Sequence, residues 1–391
     1  MSTDSCAGVT GADDRSPEFR RSRGHREWRR CSGSEDPGPP RAGDSPQQFG
    51  GALTGAVRRA YDAGQMKKSI LISGVSVSAS AIAFCLVVTG IVVFSGTDPP
   101  DGDSGTLAFG DLASEPAAGP PGLRSYTARD GTDLPYRTYP SDSDDALVLL
   151  HGSGYHSAYL APLARTVADQ DAATVYTPDL RGHGPQAENR GDVDYVGQLE
   201  DDVSDFIREI GPEYGDVFLG GHSSGGGTAI RFAGGSGNAA VDGYVLLAPY
   251  IHHESPTYRA DSGWSNVNVP RIAGLQMMNT VGITAFNDRD VISFNMPAEM
   301  RDGTETLSYS YDLQTSMHPR DDYEKDLAAL ADATLVVAGA DDESFRADAY
   351  RPLLDEHTSA EVRIVDGASH FGVVTREEPR RAVARWLGGT G

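Results

Sequence analysis

The run Gly220-Gly221-His222-Ser223-Ser224-Gly225-Gly226-Gly227 follows the apolar stretch Val217-Phe218-Leu219 and opens the helical pattern Ser224–Phe232. Gly221, Ser223 and Gly225 form G-x-S-x-G between a strand and a helix, the setting in which that spacing lifts a serine hydroxyl out of a sharp elbow. A turn this tight needs neighbours without side chains, so that strand and helix can approach. The first amides of the helix would face negative charge developing near Ser223. The chemistry indicated is nucleophilic attack by a hydroxyl; the competing reading is a glycine-rich loop that caps a helix with serine.

A hydroxyl needs a base, and the base needs an orienting partner. Of the ten histidines, His370 follows the apolar run Val362–Val365 in Gly367-Ala368-Ser369-His370-Phe371-Gly372, late in the chain, where a base arriving after the acid belongs. The acid is expected after Val336-Val337-Ala338-Gly339, and Asp342 has the Gly-x-x-Asp spacing, with Asp341 as its competitor. Two backbone N–H groups must meet the oxyanion. One is expected from Ser224 and the other from the loop His151-Gly152-Ser153-Gly154, with Ser153 preferred and Gly154 the second choice. His222 is expected to turn away from Ser223 inside the elbow. No cofactor is required, and His252-His253-Glu254 lacks a ligand spacing such as H-E-x-x-H, so no metal is expected.

The elements that must hold these residues are short apolar runs at Ala146–Leu150, Ala173–Tyr176, Val217–Leu219, Val241–Leu247, Thr334–Ala338 and Val362–Val365. They alternate with helical stretches at Ala158–Ala168, Leu199–Ile210, Ser224–Phe232, Tyr323–Leu330 and Arg376–Trp386, while Ser125–Tyr139 reads as a hairpin around Asp130-Gly131. Buried strands alternating with helices give an α/β fold with a mostly parallel sheet covered on both faces. Ligands then lie beyond the carboxyl ends of the strands, where Ser153, Ser223, Asp342 and His370 fall.

The 391-residue chain carries a formal charge of −23, which excludes a nucleic-acid partner because that needs a basic face. The acidity is uneven: residues 1–68 hold 12 basic and 9 acidic residues, the remainder 21 and 47. So acidic a surface suits a high-salt medium, unless it is plain compositional bias. The three cysteines lie at positions 6, 31 and 85, so a cysteine nucleophile or thiolate zinc site is excluded further on.

Residues 1–65 are expected to be a disordered basic segment and 66–97 a transmembrane signal-anchor helix. Lys67 and Lys68 precede its apolar core, and Asp98, Asp101 and Asp103 follow it, which puts the large domain outside the cytoplasm. A signal peptide cleaved near Val93-Phe94-Ser95 is the rival reading, and Met66 also reads as a natural start. Residues 98–122 are expected to be a flexible acidic linker, and 123–391 one folded domain.

The domain resembles an α/β-hydrolase, most similar to the branch of monoacylglycerol lipases, lysophospholipases and serine aminopeptidases. The likeness rests on His151-Gly152-Ser153-Gly154-Tyr155-His156-Ser157, Asp179-Leu180-Arg181-Gly182-His183-Gly184, the elbow, Gly339–Asp342 and Ser369-His370. It implies a helical cap at about 249–318 and makes Asp179–Gly184 a structural loop, with His183 a packing residue. The cap's apolar residues, Met277, Met278, Phe286 and Phe294 among them, suit a small hydrophobic ester or lipid, or form the cap's own core. The resemblance points to ester hydrolysis through an acyl-enzyme. An aminopeptidase would need cap carboxylates such as Asp288, Asp290 or Glu299 to grip an amine, and a non-catalytic surface protein is the third reading.

Overall fold

A computed structural model describes residues 50–97, 107–113, 119–260 and 262–389. Two compact units divide at Gly74, Met1–Gly74 and Val75–Gly391. The described part of the first is the opening half of a single helix, α1 (Gly50–Phe94). This helix begins well before the expected end of the disordered segment at 65; residues 1–49 lie outside the described residues. Ala56, Ala60 and Ala63 favour helix, and extension from a helix already nucleated by the apolar run adds one hydrogen bond for each residue fixed. Ile70, Leu71, Ile72, Val77, Ile82 and Leu86 all stand exposed, and Thr54–Phe94 is long and apolar enough to cross a membrane.

In the second unit, α2 (Gly110–Ala113) precedes β1 (Arg124–Thr127), β2 (Asp133–Tyr139), β3 (Ala146–Leu150), α3 (Ala161–Asp169) and β4 (Thr174–Pro178). Next come α4 (Gln198–Ile210), β5 (Val217–His222), α5 (Ser224–Gly234) and β6 (Gly243–Leu247). An insertion follows, with β7 (Ser265–Val267), α6 (Val269–Thr280), β8 (Asp290–Phe294), β9 (Ser308–Ser310) and α7 (Tyr311–Ser316). The chain closes with α8 (Tyr323–Ala328), β10 (Thr334–Gly339), α9 (Tyr350–His357), β11 (Glu361–Val365), α10 (Gly372–Thr375) and α11 (Glu377–Leu387).

The main sheet has the order β1-β2-β4-β3-β5-β6-β10-β11. The β1–β2 hairpin and the β2–β4 pairing are antiparallel, and the rest is parallel. Every residue of β3, β4, β5, β6 and β10 is buried, because helices cover both faces and no side of the pleat meets water. In register, Leu150 lies beside Gly221, His222 beside Leu247, and Gly339 beside Val365. Parallel strands with aligned ends deliver the loops after β3, β5, β10 and β11 to one edge.

The inserted cap holds α6 and α7 and, beyond the helical character expected, a three-stranded antiparallel sheet in the order β7-β8-β9. The run Val291-Ile292-Ser293-Phe294 is β-branched and aromatic, which favours a pleated strand over a helix. Helix α6 meets the end of α1: a Cβ on Gly274 would lie 2.7 Å from Val92 Cγ2, and Asn268 Nδ2 donates to Gly96 O at 2.8 Å. Part of the expected linker is also packed. Leu107 and Phe109 are buried, while 98–106 and 114–118 lie outside the described residues.

Candidate active site

Ser223 sits at the β5–α5 junction with φ 56° and ψ −122°, a backbone conformation that costs a non-glycine residue of order 1–3 kcal/mol. Its surroundings hold it there. Ser223 N donates to Leu247 O at 2.9 Å, and Ser223 O accepts from Tyr250 N and Gly227 N. Glycine is required on both sides: a Cβ on Gly221 would fall 2.3 Å from Gly225 O, and one on Gly225 would fall 2.4 Å from His151 O.

The structure brings His370 and Asp342 together. Nδ1 of His370 lies 3.0 Å from Asp342 Oδ2, and both side chains are buried. A carboxylate on Nδ1 keeps the proton there and leaves Nε2 as a base. Oδ1 of Asp342 accepts from Ser344 N (2.7 Å) and Phe345 N (2.9 Å). Burial pushes this carboxyl up, but the His370 ring and those two N–H groups outweigh it and hold it below the usual carboxylate range. Asp341 is exposed and its N–H donates to Ala368 O, and among the described residues no hydrogen bond joins it to His370. Among the described residues, no hydrogen bond joins Ser223 Oγ to His370.

Three neutral histidines brace the loops around this pair. His222 Nε2 faces His370 O at 3.0 Å and must carry the proton; Nδ1 then accepts from Tyr159 OH at 2.9 Å, and that oxygen accepts from Gly152 N at 2.7 Å. One chain of bonds thus runs from the loop after β3 through the elbow to the loop after β11. His222 is directed away from Ser223, as expected, and burial lowers its pKa to about 3. His151 Nδ1 donates to Gly152 O, and Nε2 accepts from Leu180 N at 3.0 Å; burial lowers this ring to about 4. His183 Nδ1 donates to Arg181 O, and Nε2 accepts from Tyr309 OH at 2.7 Å. The Asp179–Gly184 loop is therefore a buried brace, as the resemblance implied.

These bonds sort the oxyanion candidates. Gly152 N donates to Tyr159 OH, and Gly154 N donates to Tyr309 OH at 2.8 Å. Among the described residues, Ser153 N has no protein acceptor, and Ser224 N, at the first turn of α5, has none either. The second choice, Gly154, is already engaged. Tyr159, Tyr309 and Glu343, whose Oε2 accepts from His370 N at 3.0 Å, join the site without any sequence signal. No local pattern marks them, and Tyr309 acts from a cap strand 155 residues beyond Gly154. The cap carboxylates Asp288, Asp290 and Glu299 are all exposed, and Asp290 accepts from Ser308 Oγ. His252, His253 and Glu254 bring one ligand atom each within 4.8 Å; His252 Nδ1 accepts from Glu254 N, and among the described residues His252 Nε2 has no hydrogen-bond partner.

The sheet order, the elbow and the loops gathered at one edge define an α/β-hydrolase. Residues 141–373, more than half of the chain, match the serine aminopeptidase S33 family, and the chain belongs to it. The fold is that of monoacylglycerol lipase from Paleococcus ferrophilus, at 21% identity and TM-score 0.51 over 66% of this chain and 100% of that one. It is also that of a soluble variant of monoglyceride lipase from Saccharomyces cerevisiae, at 16% identity and TM-score 0.52 over 70% and 97%. A probable protein phosphatase methylesterase 1 from Caenorhabditis elegans is 36% identical over 84 residues, 21% of this chain and 23% of that protein. The match thus spans about a quarter of that relative's length.

Proposed function

We propose that this chain is a membrane-anchored serine hydrolase that cleaves carboxylic esters of apolar acids. The observation that carries the reading is the strained Ser223 elbow beside the buried His370–Asp342 pair. Ser223 Oγ attacks the ester carbonyl while its proton passes to His370 Nε2. The oxyanion is met by the N–H groups of Ser153 and Ser224, fixed before the charge develops. His370 then gives the proton to the departing alcohol as the C–O bond breaks and the acyl-enzyme forms. Water attacks the acyl-enzyme by the same route, losing its proton to His370, and Ser223 is released. Asp342 holds the ring in the productive tautomer throughout.

Ester specificity is supported by the apolar surface beside the loops, where Trp264 and Met296 flank Gly154 and Phe371 follows His370. The family's name favours a second reading, an aminopeptidase with Asp288, Asp290 or Glu299 gripping the amine. The exposure of all three weighs against it. Anchoring through α1, with the domain outside the cytoplasm, is supported by the exposed apolar side chains from Ile70 to Val87 and by Lys67 and Lys68 before them. Exposed Val269 and Met277 on α6 lie on the cap helix that meets the end of α1, which suits a site taking lipid from a bilayer.

The test uses the full chain in detergent, with a fluorophosphonate probe, p-nitrophenyl esters of graded length and aminoacyl anilides. Labelling at Ser223 with preferred turnover of esters is expected. Anilide turnover without ester turnover would establish the aminopeptidase reading instead, and an unlabelled Ser223 would refute both. Carbonate extraction of membranes should leave the protein in the pellet.

A further inference from the structure

Between residues 98 and 122 the chain is proline, glycine, alanine and acidic or hydroxyl residues, with three large apolar exceptions, Leu107, Phe109 and Leu112. A spacer needs none of them. Leu107 and Phe109 are each only 6% exposed, and they are buried in a small cluster separate from the main core, together with Met296 and Phe371. The Phe109 ring centre lies 5.4 Å from that of Phe371, 5.8 Å from Trp264 and 6.4 Å from Tyr155. Asp111 fastens the segment by accepting a hydrogen bond from Ser369 Oγ.

The walls of this cluster are the loops that carry the proposed chemistry. Tyr155 directly follows the Gly152–Gly154 turn, and Phe371 directly follows His370. A Cβ on Gly154 would meet Met296 at 3.2 Å and Trp264 at 3.3 Å, while one on Gly152 would meet Ser223 Cβ at 3.1 Å. Phe109 thus occupies an aromatic and thioether cleft beside the nucleophile, of the kind that takes an alkyl chain. A leucine and a phenylalanine side chain are themselves an alkyl and an aryl group.

We propose that the cleft walled by Tyr155, Trp264, Met296 and Phe371 is the site for the substrate's apolar chain, and that Leu107–Ala113 of the same chain fills it at rest. The proposal rests on the serine esterase reading and adds regulation to it. The segment is a tethered competitor: a lipid ester binds only the fraction of molecules in which it has left, and apparent affinity falls by that fraction. Being joined to the domain it blocks, it acts at a high local concentration.

The test compares the full wild-type chain with L107S/F109S in detergent, reading the second-order rate of Ser223 labelling by a long-alkyl and by a methyl fluorophosphonate. The double variant should react about tenfold faster with the long-alkyl probe and change less with the methyl probe. KM for long-chain p-nitrophenyl esters should fall with kcat unchanged, and a synthetic peptide of residues 105–115 should restore inhibition competitively. Asp111→Ala, a milder change that leaves the apolar residues in place, should shift the same rate in the same direction by less. Equal or slower long-alkyl labelling in both variants would overturn the proposal while leaving the esterase reading intact. Absence of labelling by either probe in every variant would overturn both.

Discussion

The hydrolase body and the cap treat the site in opposite ways. Around Ser223 the body fixes its loops through directed hydrogen bonds: His151, His183 and His222 are buried, neutral and bonded through both ring nitrogens. Among the described residues, the N–H groups of Ser153 and Ser224 are left without a protein acceptor. The cap presents mainly Trp264, Met296 and Phe294, whose contacts have little direction. Hydrogen bonds constrain angle and distance, so they suit a reaction centre; dispersion contacts tolerate many shapes, so they suit a chain of variable length. Tyr309 crosses this division, since it comes from a cap strand yet bonds both Gly154 and His183.

Mutations and pH can break or sharpen that contrast. The largest effect is expected in the body: Ser223→Ala should lower ester turnover by about 10⁵-fold or more with little change in thermal midpoint, as read by kcat and calorimetry. Acid should also act on the body. Burial lowers His222 to about 3 and His151 to about 4, whereas the unfolded rings titrate near 6.5. Between those values the unfolded chain binds more protons, so stability is complete above about pH 6.5 and is lost as pH falls toward 4. The loss should reach at most about 3 kcal/mol per ring, measured by urea unfolding at pH 7, 5.5 and 4.

Tyr309→Phe tests the crossing point. It leaves Gly154 N–H and His183 Nε2 without their shared partner, at about 1–3 kcal/mol of stability, and should lower kcat roughly tenfold through a looser loop. The smallest effect belongs to the cap wall. Trp264→Ala should raise KM for long-chain esters several-fold, about 1 kcal/mol, and leave acetate turnover within twofold. A uniform loss across chain lengths would instead make Trp264 part of the rigid body.

Much of the body is legible in the amino-acid sequence. The elbow, the strand Ala146–Leu150 and the position of His370 after the last strand all rest on spacings within a few residues. The cap is legible only as apolar texture, because its strands are short and β7 and β9 span three residues each. Average composition predicts a wholly unpacked linker, and the burial of Leu107 and Phe109 against residues more than 40 positions away is invisible to that average.

By itself the sequence determined the α/β alternation, the apolar reach of α1 and the serine at the elbow, since each depends on local periodicity or a short glycine-bounded turn. Only the tertiary structure sets Asp342, not Asp341, against His370, and bonds Gly154 N to Tyr309. Adjacent residues share a composition and a loop. What separates them is a partner brought near by folding, His370 in one case and Tyr309 in the other.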